Sequence, residues 1–466
     1  MKPSALMQNK PLRWPASLLF AAAAAVFFHL AYLFDFCHWC IVLFLYCLFR
    51  LAGLATARRA LWIGMAVGLA AYSPHLAFFW TLFDSGAIAL WCILSFWLAL
   101  FLVAGRACLV RFGPVVWAVA APFLWTGLEF FRSELYHLRF AWLNAGYVFS
   151  SSSALPFLAG LGVYGIGFLL MAWAAFAGVA AQLSRPARLA VAMALAAISI
   201  LPFWLPAGAG LGGKAIHVAG VQLEDSSPMQ TRTALDVLLK KFPGTELFVL
   251  SENAFDGPVP PEICAWCKEH GRWLAAGGKD PISPVEYYNT AFVVGQDGAV
   301  AFRQAKCVPV QLMKDGLPAR QQCVWDSPWG KLGFGICYDA SYTVVTDELI
   351  RQGAQALIFP TMDYEDWGKA EHEMHSRIAP MRAAEYEVPV FRVCSSGISQ
   401  AVDGRGRVIA TAPYPGPGAM LAAQLQLPAR GRMPPDRWLA PLAAAAAAGL
   451  MLFLIVDAAR RIRRPR

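Results

Sequence analysis

Eight apolar runs, near 17–34, 38–56, 60–80, 88–110, 114–131, 154–181, 188–206 and 438–456, limit what this chain can fold into more than any other feature. A hydrocarbon core of about 30 Å is crossed by ~20 helical residues, and in lipid a helix satisfies its own backbone groups. The runs therefore predict about eight transmembrane helices, seven N-terminal and one C-terminal. Arg50 interrupts the second run, and Glu129 stands near the end of the fifth. Lys2, Lys10 and Arg13 precede the first run as in a signal peptide, but six more runs follow without a clean small-residue cleavage site. The first run reads as a retained anchor. At 58% hydrophobic and 15% charged residues, the whole is not the composition of a soluble protein. Residues 214–436 are the exception: they hold most of the acids and alternate like a globular domain. The expected organisation is a transmembrane domain over 1–213, a globular domain over 214–436, and a last helix with a basic tail over 437–466.

Basic residues in short loops set orientation. Lys2, Lys10 and Arg13 fall on one side with Arg50, Arg58, Arg59, Arg106, Arg111, Arg185 and Arg188. The tail residues Arg460, Arg461, Arg463, Arg464 and Arg466 join them. The opposite loops carry almost none, apart from Arg132 and Arg139. Seven spans then place 214–436 outside the cytoplasm, and the eighth returns the tail inside. The net charge of +9 is mostly this topology signal plus attraction to anionic headgroups; it is not a nucleic-acid footprint.

Within 214–436, short β-rich runs recur at 215–223, 246–251, 273–277, 291–294, 332–336, 355–359, 388–393 and 407–411. Helical patterns fall between several of them, at 227–241, 260–270, 342–352 and 369–387. Alternating strands and helices predict an α/β domain with a covered sheet and functional groups at strand ends. Proline and glycine in 413–418 and 428–435 read as the loop out of the last strand and the linker back to the membrane.

Three apolar runs end on a reactive residue. Phe248-Val249-Leu250-Ser251 leads into Glu252, Ala301-Phe302-Arg303-Gln304-Ala305 into Lys306, and Gly333-Phe334-Gly335-Ile336 into Cys337. Alone, a cysteine after an apolar run is more often a buried structural thiol. At a strand-to-helix turn, however, nearby N–H dipoles favour thiolate and can hold an oxyanion. A glutamate can take the thiol proton and return it, and a lysine can meet a developing oxyanion. The three together are a coherent nucleophilic set.

Other groups stay with plainer readings. Cys37-His38-Trp39-Cys40 and Cys264-Ala265-Trp266-Cys267 are isolated C-x-x-C pairs, a weak metal signal that leaves a local disulfide open. His372 and His375 lie near Glu371 and Glu373, but not as H-E-x-x-H and with no third ligand apparent, so they read as a polar helix face. No metal or other cofactor is expected. Glu129 and Arg132 read as a structural pair, and Phe78, Phe79, Trp80 and Trp438 as an interfacial belt.

Glu252, Lys306 and Cys337, in that chain order, resemble the triad of the nitrilase (carbon–nitrogen hydrolase) superfamily. The resemblance extends to Tyr288-Asn289-Thr290-Ala291 before the lysine, Thr361-Met362-Asp363 with Trp367-Gly368, and Met381-Arg382-Ala383-Ala384-Glu385. It continues in Ser396-Gly397-Ile398-Ser399 with Asp403-Gly404-Arg405-Gly406. In the membrane part, Leu124-Trp125-Thr126-Gly127-Leu128-Glu129-Phe130-Phe131-Arg132 is similar to a signature of the membrane-embedded branch, the apolipoprotein N-acyltransferase family. So are Phe140-Ala141-Trp142-Leu143-Asn144-Ala145-Gly146-Tyr147 and Gly162-Val163-Tyr164-Gly165-Ile166-Gly167-Phe168-Leu169.

That resemblance implies an αββα sandwich on a transmembrane body in a bacterial inner membrane, with the sandwich on the periplasmic side. It implies a ping-pong acyl transfer: a phospholipid acyl chain passes to Cys337 as a thioester, then to the N-terminal amine of a diacylglyceryl-cysteine lipoprotein. Glu252 would be the base and Lys306 the oxyanion partner, with Tyr338, Asp339, Asn289 and Trp367 in supporting or substrate-binding places. Three departures stand out. Leu250-Ser251 replaces the family's usual Trp-Pro, and Asp339 stands where it generally has glutamate. The loop Lys306-Cys307-Val308-Pro309-Val310-Gln311-Leu312-Met313 lacks the family's lysine-supporting acid, for which Asp315 is the available substitute. The alternatives are a membrane-tethered amidase or an acyltransferase for another amine, and, in a different class, a catalytically silent lipid-binding protein.

Overall fold

The computed structural model describes residues 11–150, 155–204 and 214–462. Lys2, Lys10, Arg463, Arg464 and Arg466, used above for orientation, lie outside the described residues. The chain divides into two compact units, Met1–Trp204 with Pro435–Arg466, and Leu205–Pro434.

The first unit is helical: α1 (Trp14–Leu33), α2 (Cys40–Leu51), α3 (Ala57–Tyr72), α4 (Phe79–Phe83), α5 (Gly86–Phe112), α6 (Pro114–Phe130), α7 (Leu155–Val179), α8 (Arg185–Trp204) and a C-terminal helix (Asp436–Ile462). Each of the eight apolar runs contains a helix, and among the described residues six helices are long and apolar enough to cross a membrane. The other two are shorter: α2 has 12 residues and α3 has 16, rising about 18 and 24 Å at the α-helical pitch. A 3-10 turn, Asp35–Cys37, precedes the second run, in which α2 starts only at Cys40, and the third run leaves the helix at Tyr72.

Small residues let helices meet closely here, as expected where packing rather than water drives association. A Cβ on Gly64 would come within 2.9 Å of the Ala99 nitrogen, and one on Gly68 within 2.6 Å of Ser95 Cα. Inside α7 the chain kinks at Gly162, at φ 74°. The kink frees the Tyr164 N–H, which donates to Asp436 Oδ2 at 2.9 Å. Glu129 and Arg132 are both buried, and each grips the same loop: Glu129 Oε1 accepts the Ala145 N–H at 2.9 Å, and Arg132 Nη2 donates to Asn144 Oδ1.

The second unit holds two six-stranded sheets. In chain order the strands are β1 (Ala215–Val221), β2 (Leu247–Val249), β3 (Trp273–Pro281), β4 (Tyr287–Val294), β5 (Val300–Ala305), β6 (Val324–Asp326), β7 (Lys331–Phe334), β8 (Ala356–Thr361), β9 (Val390–Cys394), β10 (Ser399–Val402), β11 (Val408–Ala412) and β12 (Met420–Gln426). One sheet is ordered β12-β1-β2-β3-β4-β5 and the other β11-β10-β9-β8-β7-β6. Each has a parallel trio at its centre (β1, β2, β3; β7, β8, β9) and antiparallel neighbours outside it. The sheets pack face to face, close enough that a Cβ on Gly220 of β1 would stand 2.5 Å from the Val393 side chain of β9.

Helices cover the outer faces. α9 (Pro228–Lys241) and α10 (Pro261–His270) bury Leu235, Leu238, Ile263 and Trp266 against Ala219, Val221, Phe248 and Leu274 of the first sheet. The alternation along β1 and β2 selects that face, since successive strand residues point to opposite sides. Ser227 caps α9 through a reciprocal bond pair with Gln230, and Gly271 ends α10 in the left-handed region, at φ 59°. On the second sheet lie α11 (Thr343–Arg351) and α13 (Ile378–Tyr386), with α12 (Lys369–Ser376) against α13. This is the four-layer αββα sandwich expected.

Two expectations need correction. The single helix over 369–387 is two helices separated at Arg377, because Pro380 in the first turn of α13 has no N–H to continue the ladder from α12. Residues 413–418 do not leave the last strand: they lead to β12, which crosses to pair antiparallel with β1 along Ala215↔Gln426 to Val221↔Met420.

Candidate active site

Glu252 follows β2, Lys306 follows β5 and Cys337 follows β7, so two triad members come from one sheet and the third from the other. Cys337 has φ 48°, a left-handed backbone that costs a non-glycine residue about 1–3 kcal/mol unless its surroundings impose it. They do. The Asp339 carboxylate accepts the Ile336 N–H at 3.1 Å, while the Asp339 N–H returns to Ile336 O at 2.9 Å. Arg382 of α13 donates to Ala340 O at 2.8 Å and Ser341 O at 2.7 Å, and is itself paired with Glu385. The turn is a 3-10 segment, Cys337–Ser341, followed by α11, rather than the direct start of an α-helix.

The three side chains converge in a buried pocket of charge. Lys306 Nζ lies 2.8 Å from Glu252 Oε1 and 2.7 Å from Asp315 Oδ2. Asn289 Nδ2 bridges the two acids, donating to Glu252 Oε1 at 2.6 Å and to Asp315 Oδ1 at 2.8 Å. Val310 N–H donates to Asp315 Oδ2 at 2.7 Å, which fixes the loop that carries the acid. The second oxygen of Glu252 accepts the Met362 N–H at 2.8 Å, and Cys337 Sγ lies 3.7 Å from Met362 O.

Burial raises the Cys337 thiol well above its usual range, the Glu252 carboxylate pushes the same way, and Lys306 offsets only part. Burial also raises Glu252, against the pull of Lys306. For Lys306, burial works against the ammonium, but Glu252 and Asp315 outweigh it and hold its pKa well above the lysine range. These shifts favour the neutral thiol, beside an ammonium held between two acids. The strand-to-helix argument expected the turn to favour thiolate; burial and Glu252 push the thiol the other way.

Of the supporting residues, Asn289 is in the centre. Asp339 is fully buried and acts on the loop after the lysine, accepting Cys307 N–H at 3.1 Å and Val308 N–H at 2.7 Å. Burial pushes its carboxyl up to about 6, against Lys306 and these donors. Tyr338 is buried, with its ring edge-on to Tyr342 at 4.9 Å. Trp367 is half-buried and packs on Tyr364 at 5.7 Å, not on the triad.

His372 and His375 are not a polar helix face. They are 0% and 2% exposed, turned inward with Glu371 toward Asp363, while Glu373 alone of that group is exposed. Asp363 lies 2.8 Å from His375 Nδ1 and 2.5 Å from Arg392 Nη2. Burial would raise its carboxyl, but these two cations outweigh it and hold it well below the usual range. Polar residue types at helical spacing hid this cluster; the matching signal was Asp363 and Arg392 inside otherwise apolar strand-end sequence. The eleven cysteines are all free, including both C-x-x-C pairs.

Residues 242–434 match the carbon-nitrogen hydrolase family model, and residues 16–177 match the model of the apolipoprotein N-acyltransferase N-terminal domain. The chain is 25% identical over 414 residues to an apolipoprotein N-acyltransferase of Geobacter metallireducens, covering 76% of this chain and 79% of that one. It is 26% identical over 191 residues to an omega-amidase of Xenopus laevis, covering 37% of this chain and 68% of the relative. Among solved structures, a nitrilase-superfamily member from Saccharomyces cerevisiae aligns at 24% identity and a TM-score of 0.40, covering 46% of this chain and 90% of its own. The amidase matches a smaller share of this chain, whereas the membrane signature and the hydrolase domain occur here in one polypeptide. That pairing, with similarity to the Geobacter metallireducens protein on both sides of it, makes this chain a member of the apolipoprotein N-acyltransferase family.

Proposed function

We propose that the protein moves an acyl chain from a phospholipid to the N-terminal amine of a diacylglyceryl-cysteine lipoprotein, through a thioester on Cys337. In the first half-reaction Glu252 takes the thiol proton as Cys337 Sγ forms a bond to the ester carbonyl. Lys306 meets the oxyanion, the carbon–oxygen bond breaks, and the proton from Glu252 passes to the leaving lysophospholipid oxygen. In the second half the amine nitrogen forms a bond to the thioester carbonyl, the carbon–sulfur bond breaks, and Glu252 passes the amine's proton to the leaving sulfur, which restores the thiol. The high thiol pKa favours this order, because attack and proton removal belong to one step.

The observation that carries the reading is the buried contact of Lys306 with both Glu252 and Asp315, close to Cys337. It supports a working lysine despite the altered loop after it. A different amine acceptor was suggested by a lysine without its acid, and Asp315 removes that motive. Both substrates are lipids, so a sandwich tethered to membrane helices, on the periplasmic side of a bacterial inner membrane, suits them. The test is mass spectrometry of lipoprotein N-termini from a strain lacking the gene and from the same strain carrying wild type or C337A. Loss of the third acyl chain, restored by wild type alone, supports the proposal; unchanged triacylation on deletion refutes it.

A further inference from the structure

The backbone of one residue, Met362, touches both the base and the nucleophile, through the two peptide units that flank its Cα. The Met362 N–H donates to Glu252 Oε2 at 2.8 Å, and Met362 O faces Cys337 Sγ at 3.7 Å. A backbone can align two side chains only as well as it is itself held. Met362 is half-buried; the holding falls to the next residue, Asp363, which is fully buried.

Asp363 is fixed at every polar atom. Its carboxylate contacts His375 Nδ1 of α12 at 2.8 Å and Arg392 Nη2 of β9 at 2.5 Å. Its N–H donates to Ser395 Oγ at 3.0 Å, and the same hydroxyl donates to Asp363 O at 3.0 Å. Arg392 is anchored in turn on Ile398 O at 2.7 Å. Gly397 leaves room for the carboxylate, since a Cβ there would lie 2.6 Å from Asp363 Oδ2. The cluster reaches the reaction centre: donor atoms of Cys337, Asp363 and His375 lie within 4.8 Å of one another.

Burying ion pairs is a poor way merely to hold a fold, because desolvation consumes most of the attraction. What it supplies here is a rigid, directional mount beside the nucleophile. We propose that Asp363, His375 and Arg392 are positioning residues that lock the backbone at Met362, so that its N–H keeps Glu252 aimed and its carbonyl keeps the Cys337 thiol in line with that base. The proposal rests on Glu252 and Cys337 being base and nucleophile. The groups facing Glu252 are Lys306, Asp315, Asn289, Cys337 and the Met362 N–H. Those facing His375 are Asp363, Glu371, Arg392 and Cys337, with His372 beside Glu371 at 3.2 Å. When the Met362 peptide drifts, Glu252 loses a donor to its charged form. Its pKa then rises, and the acidic limb of the reaction moves to higher pH.

The test is the pH profile of Cys337 alkylation by iodoacetamide in the full-length protein with lipid, read on the Cys337 peptide by mass spectrometry. It needs no acyl donor or acceptor. H375A is expected to slow alkylation at neutral pH ~10-fold and to move the acidic limb up by about one unit, the two being equivalent. H375N restores an N–H near the place of Nδ1 and should recover most of both at similar thermal stability. S395A, which removes only a hydroxyl, should shift the limb in the same direction and serves if H375A does not fold. A wild-type limb in H375A or S395A overturns the proposal, as does equal loss in H375A and H375N. E252Q separates the two levels. If it leaves the limb untouched, the base assignment fails and this inference with it; if it removes the limb while H375A leaves it, only this inference fails.

Discussion

Asp315 Oδ2 stands 2.7 Å from Lys306 Nζ, opposite the 2.8 Å contact that the same ammonium makes with Glu252. The acid reaches the lysine because the loop folds back: Val310 N–H and Asn289 Nδ2 both donate to it. Removing its charge should leave Lys306 biased toward Glu252 and draw that base into a tighter pair. D315N is expected to lower turnover by ~10–100-fold, in line with the loss of 1–3 kcal/mol for a hydrogen bond to a charged group. D315E should keep more activity than D315N in a phospholipid-to-lipopeptide assay. Equal loss in both would mean that the acid serves only to shape the loop.

The pH dependence has a definite sign. Glu252 works as a base only when ionised, and burial raises its pKa above the usual glutamate value. Activity should therefore fall, as pH falls, at a higher pH than an ordinary glutamate would set. Lys306 behaves differently. Its folded pKa lies above the unfolded value, so its contribution to stability is fully present below the unfolded pKa and is lost only as pH rises through the folded one. Thermal melting across neutral pH should thus show no loss from this lysine, while kcat/KM already bends on the acid side.

Gly162 breaks α7 at φ 74° and ψ 168°, a conformation open to glycine alone. A Cβ there would lie 2.2 Å from the Asp436 carboxylate, which accepts the N–H groups of Tyr164 at 2.9 Å and Gly165 at 3.4 Å. G162A should lose folded protein in detergent, with destabilisation of at least 1–3 kcal/mol. D436N, which keeps an acceptor, should be milder by differential scanning fluorimetry.

Orientation can be read with a thiol reagent. Cys323 is exposed in the globular unit, and Arg461 is exposed near the end of the C-terminal helix. A maleimide that cannot cross the inner membrane should label Cys323 in spheroplasts. It should label R461C only after lysis. The reverse pattern would overturn the orientation drawn from the loop arginines.

The meeting of Glu252, Lys306 and Cys337 was legible in the sequence because each closes a short run that ends a strand, and the carboxyl ends of strands are where functional groups collect. The apolar runs likewise announced the helices of the first unit, though not where α2 and α3 stop. What escaped were contacts set by chain path. β12 was missed because it pairs with β1, from the far end of the domain, and Asp315 could be offered only as a substitute acid because its reach depends on a loop turn. His372 and His375 looked solvated because the buried acid they face, Asp363, and the Arg392 that shares this acid come from separate elements. The state of the Cys337 thiol followed from burial and from Glu252, neither of which the local turn reveals.

The central claim is that Cys337 carries the acyl chain. Intact-mass measurement of the purified protein, incubated with fresh phospholipid and then treated with hydroxylamine, tests it most directly. The expected result is a mass increase of one acyl chain that hydroxylamine removes, present in wild type and absent in C337S. A wild-type protein that stays unacylated with fresh phospholipid, or an adduct that persists in C337S, would contradict it.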